Sequence, residues 1–132
     1  MKYQIFLNEQ RDEKGRHVGF FGFKPWHTME LADGGDIEAA EDEVVLEEIF
    51  RIYNIDHPEH YRNRSLSVGD VIVLDLGTPS VRGYTVEPAG FHKLDRFDYA
   101  ISCDLEAIRQ HFAPGGPHER GVCGPVCTAF DW

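Results

Sequence analysis

The residues best equipped for chemistry in this chain are its seven histidines, three cysteines and twenty-three acids. Imidazole ionises near neutrality and ligates transition metals, so His57, His60 and His92 are the candidates for a catalytic histidine. His57 and His60 stand three apart, but Pro58 between them disfavours the helical turn that would put both rings on one face. The chain holds no His-Glu-x-x-His and no Gly-x-x-x-x-Gly-Lys-Ser/Thr. Two thiolates and an imidazole, from Cys123, Cys127 and His118, could fill three corners of a tetrahedral zinc site, with Cys103 as the fourth. Against that, three residues including Pro125 separate Cys123 from Cys127, which fits neither a zinc knuckle nor a Cys-x-x-Cys redox pair. Ser65 and Ser67 lack the Gly-x-Ser-x-Gly elbow that exposes a nucleophile, and serines before a turn usually bond its backbone. No catalytic residue, metal ligand or cofactor is therefore assigned; a small zinc-binding or histidine-dependent enzyme module is the alternative reading.

The acids make the stronger pattern. From Glu30 to Glu48 the chain carries nine of them and no Lys or Arg. Such a run is often only a solvated face, yet a field of one sign also suits docking to a basic partner. Glu38, Glu41, Asp42, Glu43, Glu47 and Glu48 are the candidate binding residues. The expected partner is a basic protein, including a nucleic-acid-binding protein whose DNA groove the acids could occupy. A basic patch of Arg62, Arg64, Arg82, Lys93 and Arg96, with Tyr61, Tyr84 and Phe91 as stacking surfaces, would be the counter-reading. Thirteen Lys and Arg against twenty-three Asp and Glu give a net charge of −10, which disfavours a direct grip on nucleic acid.

The elements that must position these residues follow from periodicity and breakers. Tyr3 to Asn8 reads as a strand, Glu9 to Arg16 as a hairpin connection, and His17 to Phe23 as the returning strand, ended by Pro25. A helix is predicted from Asp36, as N-cap, to Asn54, with Ala40, Val44, Val45, Ile49, Phe50 and Tyr53 on its apolar stripe. Gly69-Asp70 supplies a turn into a buried strand, Val71 to Leu76, which pairs with Val81 to Val86. Pro88-Ala89-Gly90 turns again into Phe91 to Leu94, and Asp104 can cap a short helix through Phe112.

The expected fold class is α+β, a mainly antiparallel sheet packed against one amphipathic acidic helix and a short C-terminal helix. A length of 132 residues suits one domain, placed at 1–113, followed by an irregular Pro/Gly/Cys-containing tail at 114–132. No apolar run approaches the roughly 20 residues needed to cross a bilayer, and the first residues lack a signal-peptide core. A soluble, cytoplasmic protein without membrane partners is expected.

Phe50-Arg51-Ile52-Tyr53-Asn54, His57-Pro58 and Arg64-Ser65-Leu66-Ser67-Val68-Gly69-Asp70-Val71-Ile72-Val73-Leu74, closed by Tyr84-Thr85-Val86-Glu87-Pro88-Ala89-Gly90-Phe91, form one further pattern. This stretch resembles the YodL-like domain family, small proteins or modules common in phages and mobile elements of Gram-positive bacteria. The resemblance runs from the acidic helix to Phe91. It implies a genomic setting, a phage or integrative element, and no reaction. Joined to the acidic run, it makes a non-enzymatic interaction protein that binds a host or element-encoded protein the leading expectation.

Overall fold

In the computed structural model, which describes residues 1–76 and 78–94, the chain is arranged around one strand buried on both faces. β1, Lys2–Asn8, turns Tyr3, Ile5 and Leu7 to one side and Gln4, Phe6 and Asn8 to the other, and all six are buried. It lies second in a five-stranded sheet ordered β2-β1-β3-β4-β5. The neighbours are β2 Met29–Asp36, β3 Val71–Leu74, β4 Arg82–Glu87 and β5 Gly90–Leu94, every pair antiparallel. One α-helix, α1 Asp42–Asn54, covers the first face through Val45, Leu46, Ile49 and Tyr53, which pack with Tyr3, Ile5, Ile72 and Leu74. On the second face Phe6, Val71, Val73 and Leu76 gather Phe23, Met29, Leu31, Val81 and Leu94. The described part is thus α+β with an antiparallel sheet and one helix. The expected helix 104–112, the tail 114–132, Arg96 and the Cys103, His118, Cys123 and Cys127 set lie outside the described residues. No helix among the described residues is long and apolar enough to cross a membrane.

The return strand is not where the β-forming residues put it. Residues 17–23 hold a single β-bridge, from His17 to Arg11, and a 3-10 turn, Gly19–Phe21, inside a long connection whose base is closed by the Glu9 amide donating to the Thr28 carbonyl. The strand that pairs with β1 is Met-Glu-Leu-Ala-Asp-Gly-Gly-Asp, a sequence poor in β-formers. Tertiary fit overrides propensity here: a Cβ at Gly35 would stand 2.8 Å from the Tyr3 hydroxyl, so the glycine leaves room for that ring. The register shifts between Ile5, which faces Asp33, and Phe6, which faces Leu31, leaving Ala32 as the extra residue of a bulge.

The helix also starts later than the acids suggested. Asp36 ends β2 and binds the terminal ammonium of Met1 at 2.9 Å; it is not a helix cap. The N-cap is Glu41, which makes no side-chain capping bond, and Asp42 and Glu43 occupy the favourable first turn. Val44 is half exposed instead of buried, while Leu46, absent from the predicted stripe, is in the core. At the other end the Asn54 carboxamide exchanges two hydrogen bonds with the backbone of Leu66, at 2.8 and 3.1 Å, fastening the 55–70 connection to α1.

The Gly69-Asp70 turn forms as expected, and β3 follows but stops at Leu74 because Asp75 adopts a left-handed φ of 55°. Gly69 has a φ of +92°, and a Cβ there would meet the Gly19 carbonyl oxygen at 1.9 Å. The long β1–β2 connection is therefore pressed onto this turn. β4 and β5 form the second predicted hairpin around Pro88-Ala89.

Candidate interaction surface

Along α1 the acids divide into two groups. Asp42 faces inward, half-buried, where the Arg82 guanidinium grips both its oxygens at 2.5 Å and the Tyr84 hydroxyl donates to one of them at 2.5 Å. Arg82 also reaches Asp75 at 2.8 Å, so β4 holds the helix start and the end of β3 with one cation. Hydrogen bonding from Arg82 holds the Asp42 carboxyl below the usual range, and burial followed by Asp42 pushes the Tyr84 phenol up to about 12. Asp42 is thereby committed to the fold. Glu48 pairs with Arg51 one turn on.

Glu38, Glu41, Glu43 and Glu47 are exposed, and among the described residues none of their side chains enters an ion pair or hydrogen bond. Val44, 51% exposed, and Phe50, 37% exposed, are the exposed large apolar residues of the helix. Phe50 meets Phe91 of β5 edge-on, with ring centroids 6.2 Å apart. Between α1 and the β4–β5 hairpin these rings open a cleft of about 230 Å³, lined by Glu47, Phe50, Val86, Glu87, Pro88, Gly90 and Phe91. Apolar side chains form its floor, and Glu47 and Glu87 stand on its rim. Position of the acids was legible in sequence; the cleft was not, because Phe50 and Phe91 are distant in the chain and only the β4–β5 turn brings Pro88 beside them.

Two cations of the proposed basic patch, Arg64 and Arg82, are taken up by carboxylates. Arg64 is held by Asp70, Arg82 by Asp42 and Asp75, and Arg62 donates to the backbone carbonyls of Glu59 and Tyr61. Tyr61 is buried with its phenol raised to about 12, by burial first, and Tyr84 is bound to Asp42, so neither offers an open stacking face.

The histidine candidates fall apart in space. His57 Nε2 lies 3.2 Å from Ser65 Oγ on the exposed side of the 55–70 connection. His60 Nε2 donates to the Asp33 carboxylate at 2.9 Å, and His92 Nδ1 sits 3.7 Å from Glu87 on β5. Asp33, turned inward beside the bulge, also accepts from the Tyr53 hydroxyl at 2.7 Å, which is 2.8 Å from the Tyr3 hydroxyl. Burial pushes both phenols above their ordinary value. Ser67 donates its backbone N–H to Asp70, a structural role in the turn. Among the described residues no three His, Cys, Asp or Glu converge on a metal-sized site.

Sequence reasoning missed the exposed aromatic edge of the β1–β2 connection. Phe21 is 88% and Trp26 69% exposed, flanking an open cavity of about 520 Å³ with Arg11, Lys24 and His27 on its wall. The signal was present as Phe20-Phe21 and Trp26 between glycines and Pro25, but a strand reading of residues 17–23 hid it.

An antiparallel five-stranded sheet covered by one helix makes the described residues a small α+β fold. The model of the YodL-like domain family matches residues 6–97, more than half of the chain, and the protein belongs to that family. The match extends well beyond the Phe50–Phe91 core, taking in the end of β1 from Phe6 to Asn8 and all of the β1–β2 connection. No curated protein and no solved structure matches the chain.

Proposed function

We propose that this YodL-like domain is a non-enzymatic interaction protein of a phage or mobile element that binds a basic host or element-encoded protein through the outer side of α1. The carrying observation is the division of the acids. Asp33, Asp36, Asp42, Asp70 and Asp75 all serve internal bonds, whereas Glu41, Glu43 and Glu47 are exposed and unpaired among the described residues, next to half-exposed Val44. Acids that the fold does not use, beside apolar surface, suit a cationic partner, whose association they would steer. Family membership supports the mobile-element setting.

The test is charge reversal of Glu41, Glu43 and Glu47 together to Lys, with the corresponding Gln variant as control for the helix dipole. Recovery of a basic partner from host lysate should fall while cooperative unfolding is retained. Recovery by the native protein should also weaken between 0.1 and 1 M salt, as the Debye length shrinks from about 10 Å to about 3 Å. Unchanged affinity and salt dependence in the Lys variant would return these acids to the role of solvated surface.

A further inference from the structure

The cleft between α1 and the β4–β5 hairpin says more about the partner than its charge. Resting on the interaction reading above, we infer that it takes one apolar side chain, of leucine type, from a partner segment whose neighbouring residues are lysine or arginine. Three observations point to this occupant. The cavity, about 230 Å³, lies below the roughly 300 Å³ at which small-molecule pockets begin, which suits a single side chain better than a cofactor. Its apolar lining is Phe50, Phe91, Val86 and Pro88, and its only polar side chains are those of the exposed Glu47 and Glu87. Its rim carries Glu47 from the helix and Glu87 from β4, both exposed, so a chain crossing the mouth meets an acid on either side of the apolar floor.

The charge neighbourhood is consistent with that occupant. Glu87 has only His92 nearby, at 3.7 Å, and Glu47 has no ion pair among the described residues. Lys93, the cation of β5, acts on Asp42 at the helix start. Phe50 and Phe91 meet edge-on, with ring centroids 6.2 Å apart.

Two short labelled peptides of equal charge test the inference, one with a central leucine between paired lysines and its twin with a central serine. Burying a leucine side chain predicts at least about tenfold tighter binding of the leucine peptide to the full chain by fluorescence anisotropy. Phe50→Ala should erase that preference and leave the salt-dependent binding common to both peptides. Trp26→Ala, on the β1–β2 connection and outside the lining of this cleft, should change neither. The backbone amide signals of Gly90 and Phe91 should shift on titration with the leucine peptide and not with its twin, a readout that stands even if Phe50→Ala fails to fold. Equal, salt-sensitive binding of both peptides, weakened by the Glu41, Glu43 and Glu47 reversal, would overturn the pocket and keep the acidic surface. Binding of neither peptide would overturn both.

Discussion

Asp70 and Asp33 are both buried carboxylates on the sheet, and they are satisfied in opposite ways. Asp70 receives Arg64 through two bonds of 2.7 Å, one to each oxygen, and the backbone N–H groups of Asn8 and Ser67 at 2.8 Å each. Asp33 receives the Tyr53 hydroxyl at 2.7 Å and His60 at 2.9 Å, both on the same oxygen. A permanent cation in a bidentate fork holds the first; a phenol and a half-exposed imidazole hold the second. The difference teaches which carboxylate the fold depends on. Asp70 ties β1, the 64–70 turn and β3 into one unit, whereas Asp33 fastens the edge strand to α1 and the following connection.

Replacing Asp70 should therefore have the largest effect. Asp70→Ala strands a half-buried guanidinium and two backbone donors, and breaking a buried pair from one side costs about 3–5 kcal/mol. Urea unfolding is expected to show that loss, or no folded state at all. A midpoint shift no larger than that of an exposed acid such as Glu43→Ala would show that Asp70 is not the organising group.

Gly69→Val should come next, at about 3 kcal/mol, because it combines a left-handed φ of +92° with a Cβ 1.9 Å from the backbone carbonyl oxygen of Gly19. Thermal melts of Gly69→Val and Gly15→Val make the comparison internal: Gly15 is also left-handed, with a φ of +77°, but nothing lies within 4 Å of its Cβ position. The Gly15 variant should lose only the conformational part. Equal losses would mean that the contact with Gly19 contributes nothing.

The Asp70 side of the sheet also carries an acid-sensitive group. His27 is buried, and its Nδ1 accepts from Asn8 Nδ2 at 2.9 Å and from the Lys24 N–H at 3.2 Å, so the neutral ring is the one that fits. Burial, then Lys24 and His17, lower its affinity for a proton. A folded pKa below the unfolded value of about 6.5 means that the unfolded chain binds more protons as pH falls, so this stability is complete above about pH 6.5 and is lost below it. His27→Gln should flatten the stability profile below about pH 6.5 while lowering its neutral plateau. A profile as steep as that of the native protein would place the acid sensitivity elsewhere.

The contrast between the two carboxylates also explains what could be read from the chain. Asp70 finds Arg64 and Ser67 within six residues, so Ser-Leu-Ser-Val-Gly-Asp was legible as a turn leading into a strand. The β3–β4 and β4–β5 hairpins were legible for the same reason, since their turns are local. Asp33 finds Tyr53 and His60 at separations of 20 and 27 residues, and no spacing rule joins them. β2 itself was illegible because its glycines and acids deny it β propensity, and only Tyr3 lying against Gly35 shows why they are tolerated. The acidic candidates were read correctly as a run, but periodicity could not tell that Asp42 would turn inward to Arg82 while Glu43 and Glu47 stayed outside.

The smallest effect is expected from the Asp33 pair, and a double-mutant cycle measures it against the Asp70 pair. Asp33→Asn keeps an oxygen to accept from Tyr53 and should cost about 1–2 kcal/mol, and His60→Gln should cost under about 1 kcal/mol because the ring is 57% exposed and water replaces much of its bond. If the two act on each other, Asp33→Asn with His60→Gln will fall short of the summed single losses by about 0.5 kcal/mol, whereas the Asp70→Asn and Arg64→Gln cycle should show a coupling several times larger. The reason lies in the partner: Arg64 keeps its charge at every accessible pH and is enclosed with the carboxylate, while His60 stands at the surface and is half solvated. Equal coupling in the two cycles would mean that the exposed imidazole holds Asp33 as firmly as the guanidinium holds Asp70. The 55–70 connection would then be fixed at both carboxylates instead of hinging on one.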